Sequence, residues 1–518
     1  MNNNNYNIEK KECSARGVCS LAPTIVALQR LSLKFLQEIS FYVIKLEDHG
    51  AFNPSIKQKI LKYLVSLSVV SEFNEEQIYE MIQEQYYLLL DTKNNFNKLK
   101  LDINSDKENL LNIFNINTTL PDSIKIGEKL LANDTKNGTK KQNLYQILLI
   151  VLFSISNNAL NLQDFIELNK NNYTKIIKTL TQLYSSALSE EIIDKYITDI
   201  VILDSEIEVL YSDKLLEIFG GITKKEVSYS TQKGKAILIS GNNFTDLLNL
   251  LKLVEGSEIS IYTHSDMLIA HAFNLFNKYK NFKGHFKGKN GDNILEFSTF
   301  PGPILLTNNS KTYNEYLYRG LIFSTDYIVP KGVIKLENNN YEKLIEQANI
   351  SHGFKSGKTK SSTIVGYDVT EVNNKINNII SKINNGNIKK LYIISTADTN
   401  WQSIDNFKSF YENLTEDDFI INFGNEIKLK KVLNININNF TPLAINILKN
   451  IFKEITISDD RLVFMFTKCD YSTLSEIIML NDKKAKNIYM IECSPNTINP
   501  TVYKFLCKKY NILNIVEL

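Results

Sequence analysis

The sequence predicts a multi-domain protein of α plus α/β class: an N-terminal helical bundle followed by two Rossmann-like, parallel-sheet α/β domains. Three observations lead there. Apolar residues recur at three- and four-residue steps through the first part of the chain, short β-rich runs alternate with amphipathic stretches after Gly234, and that alternation occurs twice. The length of 518 residues suits three domains or more at about 150 residues each. The expected boundaries are 1–230, 231–372 and 373–518.

The bundle is expected from Pro23 to about Lys225. Leu28, Leu31, Phe35, Leu36, Ile39 and Leu46 trace one packing face, and Ile60, Leu61, Leu64 and Leu67 another. Between Asp91 and Lys141 the chain is rich in Asn, Lys and Asp, with Pro121 and Gly138 as breakers, which predicts loops and short helices. Helical spacing returns from Leu144 to about Tyr196. The first α/β unit then reads as strands at Ala236–Ile239, Ile259–Tyr262, Ile304–Leu306 and Gly320–Phe323, with a helix over Asn243–Val254. The second reads as a helix over Ile376–Ile383, strands at Leu391–Ile394 and Phe419–Ile421, a helix near Leu443–Lys453, and strands at Leu462–Phe466 and Ile488–Ile491.

Composition removes several function classes. Lys and Arg total 59 against 57 Asp and Glu, a formal charge of +2, so no field exists to attract nucleic acid or an anionic membrane. The most apolar run, Ile147–Ile155, is about half of the ~20 residues that span a bilayer, and is expected to be a buried helix. Five cysteines in so long a chain make no disulfide framework, and a cytoplasmic protein is expected.

In open parallel sheets chemistry gathers just after the strands. Those positions hold Asn242, Asp266, Asn309 with Ser310, Ala397 with Asp398, Asn425, Asn438 and Asp470. They are small and polar, with no Ser/His/Asp set at the sharp turns. His264 and His271 are seven residues apart and could share a helix face; the ordinary expectation is hydrogen bonding at a loop and helix start, with Asp266 as an N-cap. Gly353–Thr359 imitates a phosphate loop but has three residues where four are needed before Gly-Lys, so a mobile basic loop is expected. Cys13 and Cys19 flank a glycine just ahead of the first helix and could contribute to a metal centre, although two ligands do not complete one.

Tyr262–His271, with its Thr-His-Ser-Asp-Met core, and Phe297–Thr307, containing Phe-Pro-Gly-Pro, resemble the middle domain of the hybrid cluster proteins, also called prismane proteins or hydroxylamine reductases. Lys235–Gly241 resembles the strand that opens that domain, and Cys13–Cys19 the second half of the family's N-terminal cysteine motif. The resemblance runs over nearly the whole chain and implies a helical domain and two α/β domains around an iron-sulfur-oxygen cluster. It also implies losses. Asn242 falls where the family has a ligand histidine, and Asp266 where it has a glutamate. Ser310, Ala397, Asn425 and Asn438 fall on its four cysteines, and Asp470 on its last glutamate, with Ser472 on a nearby lysine.

Amides, a hydroxyl and a methyl cannot replace thiolates at a soft metal centre. The resemblance therefore predicts a family member without the hybrid cluster and without the reductase activity. Such a protein would act by binding, or as a partner of a redox or homologous protein. Cys13 and Cys19 from each chain of a homodimer could instead hold one shared 4Fe-4S cluster for electron transfer. A third expectation is residual hydroxylamine or nitric oxide reduction on a substitute metal held by Asp266, Asp470, His264 and His271.

Overall fold

The structure, a computed structural model, describes residues 21–51, 53–69, 73–99, 110–134, 139–286, 293–307, 320–395, 410–424, 426–438, 440–495 and 497–515. Cys13, Cys19, Asn309, Ser310, Ala397, Asp398 and Asn425 lie outside the described residues.

Among the described residues, seven α-helices make the first part: α1 (Pro23–Asp48), α2 (Pro54–Leu67), α3 (Glu75–Asn97), α4 (Leu120–Asp134), α5 (Thr139–Gln163), α6 (Lys170–Gln182) and α7 (Glu190–Ile218). Their starts are chemically marked. Pro23 and Pro54 occupy the first turn, where a missing N–H costs nothing, Asn53 and Ser189 accept from backbone N–H groups, and Asn74 with Gln77 forms a reciprocal cap. Helix α5 is long and apolar enough to cross a membrane by composition, but it is mostly buried between α2 and α7. The Asn- and Lys-rich stretch is more regular than its composition predicts. Helix α3 runs on to Asn97 and α4 is a 15-residue helix, because Phe96 is buried against Tyr42 of α1 and Gly127 lets α4 approach the Ala27 backbone.

The middle part holds β2 (Ala236–Ser240), β3 (Ser260–His264), β4 (Phe282–His285), β5 (Ile304–Leu306), β6 (Ile322–Ser324) and β7 (Ile334–Lys335), all parallel, in the order β4-β3-β2-β5-β6-β7. The last part repeats the plan with β9 (Lys390–Ser395), β10 (Asp418–Asn422), β11 (Val432–Asn434), β12 (Leu462–Phe466), β13 (Asn487–Met490) and β14 (Ile512–Asn514), in the order β11-β10-β9-β12-β13-β14. Both sheets therefore reverse strand order after their first strand, the arrangement of a doubly wound nucleotide-binding fold. Helices α8 (Phe244–Leu253), α9 (Asn293–Thr299) and α10 (Glu342–Ile350) belong to the first of these units. Helices α11 (Val369–Asn384), α12 (Thr441–Phe452), α13 (Tyr471–Asp482) and α14 (Pro500–Lys509) belong to the second. A short antiparallel ribbon, β1 (Lys225–Ser228) with β8 (Ser362–Val365), ties the ends of the middle part together.

Two expectations need correction. The Gly353–Thr359 stretch is a pinned strap: Phe354 exchanges backbone hydrogen bonds with Gly234, Lys358 does so with Thr231, and the Phe354 ring packs on Tyr262, Phe286 and Phe300. An aromatic anchor inside a phosphate-loop-like string holds it down. Cysteine pairing also occurs, since Cys469 and Cys493 form a disulfide with Cα atoms 5.4 Å apart. They follow the adjacent strands β12 and β13, and strand adjacency is invisible in residue spacing.

Candidate functional site between the domains

The site is assembled from strand ends. Strand β2 closes on Ser240, and Gly241 turns the chain with φ +123° toward α8. A Cβ there would lie 1.7 Å from the Thr307 carbonyl oxygen, so the backbone approach requires glycine. Asn242 follows, and its Oδ1 is buried without a hydrogen-bond partner. Strand β3 closes on His264. Ser265 takes a positive φ of 54° and a 3-10 turn runs from Ser265 to Ala272.

His264 is an anchored core residue. Its Nδ1 is 2.9 Å from Ser240 Oγ and its Nε2 2.6 Å from Glu296 Oε2 of α9, with all three residues buried. With the Glu296 carboxylate accepting, Nε2 carries the proton and Nδ1 accepts from the Ser240 hydroxyl, an assignment made from the network. His271 points elsewhere. Its Nε2 is 2.9 Å from Thr263 Oγ1, which also meets His285 Nδ1 at 2.9 Å, and burial pushes the His271 ring down to about 3. The helix face that the seven-residue spacing allowed the two histidines is not formed, because His264 ends a strand. Among the described residues no three His, Cys, Asp or Glu side chains are grouped to hold a metal ion.

Asp266 does not cap the turn that follows β3; its cap position is His264, which makes no side-chain cap. The Asp266 carboxylate instead faces the C-terminal domain, where Lys468 Nζ lies 3.7 Å from Asp266 Oδ2 and 2.9 Å from Asp470 Oδ2. Asp470 caps α13 with its other oxygen, accepting from the Thr473 N–H at 2.9 Å. The two carboxylates, Asp266 first, hold the Lys468 ammonium well above the usual lysine range. Asn438, at φ +53°, donates from Nδ2 to the Ser265 carbonyl at 3.3 Å. Asn242, Asp266, Asn438 and Asp470 thus line one interdomain cavity of about 590 Å³, with Lys468 on its wall and an aromatic flank that includes Phe440 and Tyr471.

Helix α7 adds acids that residue spacing does not reveal. Asp204 accepts from Ser154, Asn158 and Ser475, and Glu208 accepts from Asn158 and Ser472. Burial pushes Asp204 up to about 6 and Glu476 of α13 up to about 8; Glu208 is raised by burial and then by Asp204 and Glu476. Lys468 was legible only as a residue two places past a strand. Ser240 and Glu296 carried no signal, since a serine ending a strand and a glutamate in a helix are both ordinary.

The sequence profile described as Prismane/CO dehydrogenase family matches residues 6–425. This chain belongs to that family. The prismane-family chain is 23% identical over 525 residues to the hydroxylamine reductase of Clostridium novyi (strain NT), covering 98% of this chain and 95% of that protein. It is 24% identical over 532 residues to that of Acetivibrio thermocellus, covering 98% and 95%. Among solved structures, the carbon monoxide dehydrogenase IV of Carboxydothermus hydrogenoformans superimposes with a TM-score of 0.47 at 11% identity, covering 95% of this chain and 87% of that one. The resemblance read from Tyr262–His271 and the Phe-Pro-Gly-Pro stretch is the correct family.

Proposed function

We propose that this family member has kept the three-domain scaffold, builds no hybrid cluster, and does not reduce hydroxylamine. It acts by binding, either to a homologous or redox protein or to a small polar ligand in the interdomain cavity, and works as a cytoplasmic homodimer. One observation carries this reading: an ammonium group sits between the two cavity carboxylates, Asp266 and Asp470. A bound lysine and a bridging iron ion compete for the same oxygens, and the neutral amides of Asn242 and Asn438 offer a soft metal little. Cys469, the thiol on the cavity wall, is engaged with Cys493. These residues do not fit the group.

The test is an iron and sulfide count on full-length protein purified without oxygen, together with hydroxylamine turnover. The expected result is no turnover and no iron at the interdomain site. Iron well above about four per dimer, the content of one cubane, accompanied by turnover, overturns the reading. The Cys13 and Cys19 pair supports a companion proposal, a 4Fe-4S cluster shared across the dimer. About four irons per dimer that disappear in Cys13→Ser support it, whereas iron unchanged in that variant removes it.

A further inference from the structure

We infer that the former ligand positions have been rebuilt as a metal-free latch between the middle and C-terminal domains, with Lys468 as its cation and the Ser265–Asp266 turn as its catch. The inference rests on the reading above. Two carboxylates brought from separate domains, Asp266 after β3 and Asp470 after β12, repel each other across the part-exposed domain boundary unless a cation stands between them. Here the chain supplies that cation from its own Lys468 side chain.

Delivery of the ammonium is prearranged. On one side of Lys468, Thr467 donates from Oγ1 to the Ser395 carbonyl at the end of β9. On the other side Cys469 is tied to Cys493 beyond β13. The stem therefore springs from a segment held at both ends, and less freedom is lost when the ion pair forms. A second contact reaches the same turn, as Asn438 Nδ2 donates to the Ser265 carbonyl at 3.3 Å. A third secures the helical domain, as Ser472 Oγ donates to Glu208 Oε1 at 3.0 Å. Each of these contacts is made by the side chain of the C-terminal domain and crosses a domain boundary. Glu208 and Tyr211 on α7, Lys449 on α12, and Tyr471 and Glu476 on α13 also line the cavity, as does Lys483 just past α13. Of these cations Lys468 is the one in ion-pair contact with Asp266 and Asp470.

The space between Asp266 and Asp470 is consequently a site for a primary ammonium on a short aliphatic stem. Truncating Lys468 to alanine removes Cγ, Cδ, Cε and Nζ and leaves both carboxylates, so the matching small cation is n-propylammonium. Full-length Lys468→Ala is expected to exchange the amide hydrogens of the 265–272 turn about 5-fold faster than the parent chain. Millimolar n-propylammonium chloride restores the rate to within about 2-fold, while n-propanol, propionate and sodium chloride at matched ionic strength do not. Lys468→Arg keeps the slow rate. Equal exchange in Lys468→Ala and parent overturns the latch, as does rescue by n-propanol. If Lys468→Ala does not fold, Asn438→Ala tests the second contact, with exchange in the same turn expected to rise about 3-fold; no change there overturns the proposal. Iron measured on the same parent preparation separates the two ideas. Iron in the cavity defeats the cluster-free reading, whereas an iron-free chain indifferent to Lys468→Ala defeats the latch alone.

Discussion

Asn438 donates from Nδ2 to the Ser265 carbonyl across 3.3 Å, joining the loop after β11 to the turn after β3. The amide serves as a structural linker where the family resemblance places a metal-binding thiol. Asn438 and Ser265 both hold positive φ at the junction, a conformation that asparagine tolerates and serine seldom adopts. Strain of this kind survives only where the surroundings over-determine it. The surroundings here are the Lys468 ion pairs and the two doubly wound sheets, whose strand ends converge on the cavity.

The tightest backbone approach near the site is at Gly241, and it sets a steric limit. Gly241→Ala would place a methyl 1.7 Å from the Thr307 carbonyl oxygen at a φ of +123°. Thermal or denaturant unfolding of the variant is expected to show a loss of about 3 kcal/mol or more. A loss below about 1 kcal/mol would mean that the strand ends of β2 and β5 can part freely.

The His264–Glu296 pair is expected to be structural and coupled. Glu296→Ala and His264→Ala should each cost about 2–3 kcal/mol, because each removes one side of the buried His264–Glu296 hydrogen bond. The double variant should cost clearly less than the sum, a coupling of about 1 kcal/mol or more in a denaturation cycle. Additive losses would show that the two side chains act independently.

Stability should fall as pH rises across the neutral range. Glu476 is raised in the folded chain to about 8 and Asp204 to about 6. The folded state thus keeps protons that the unfolded state has released, and the stabilisation from these groups is complete below about pH 4 and is lost as pH climbs through the folded values. Melting temperature is expected to decline between pH 6 and 8, and Glu476→Gln should flatten the decline without abolishing it, since Glu208 is also raised. A melting temperature that rises over this interval, or an unchanged slope in the variant, contradicts the assignment.

The disulfide is open to direct measurement. Peptide mapping without reductant should recover Cys469 linked to Cys493, with Cys507 free. Reduction, or Cys493→Ser, is expected to cost about 2–4 kcal/mol on the loop-closure account. Recovery of both cysteines as free thiols from oxidised protein would remove it.

The fold class was legible because its signals are local. Alternation at Ala236–Ser240 and Leu462–Phe466, and the three- and four-residue steps of α1 and α2, are set by neighbours a few positions away. The polar stretch misled for the same reason. Phe96 and Gly127 take their meaning from α1, far off in the chain, and burial against it outweighs the weak helix propensity of Asn and Asp.

By itself the sequence determined the helical bundle, the two parallel-sheet units and the family. Only the tertiary structure decided that Asp266 meets Lys468, that Asn438 holds Ser265, that Ser240, His264 and Glu296 form a chain, and that Cys469 finds Cys493. The physical reason is strand order. Periodicity reports which face of an element is buried, but which strand ends lie side by side depends on how the sheets are wound and docked, and side-chain partnerships at those ends follow from that alone.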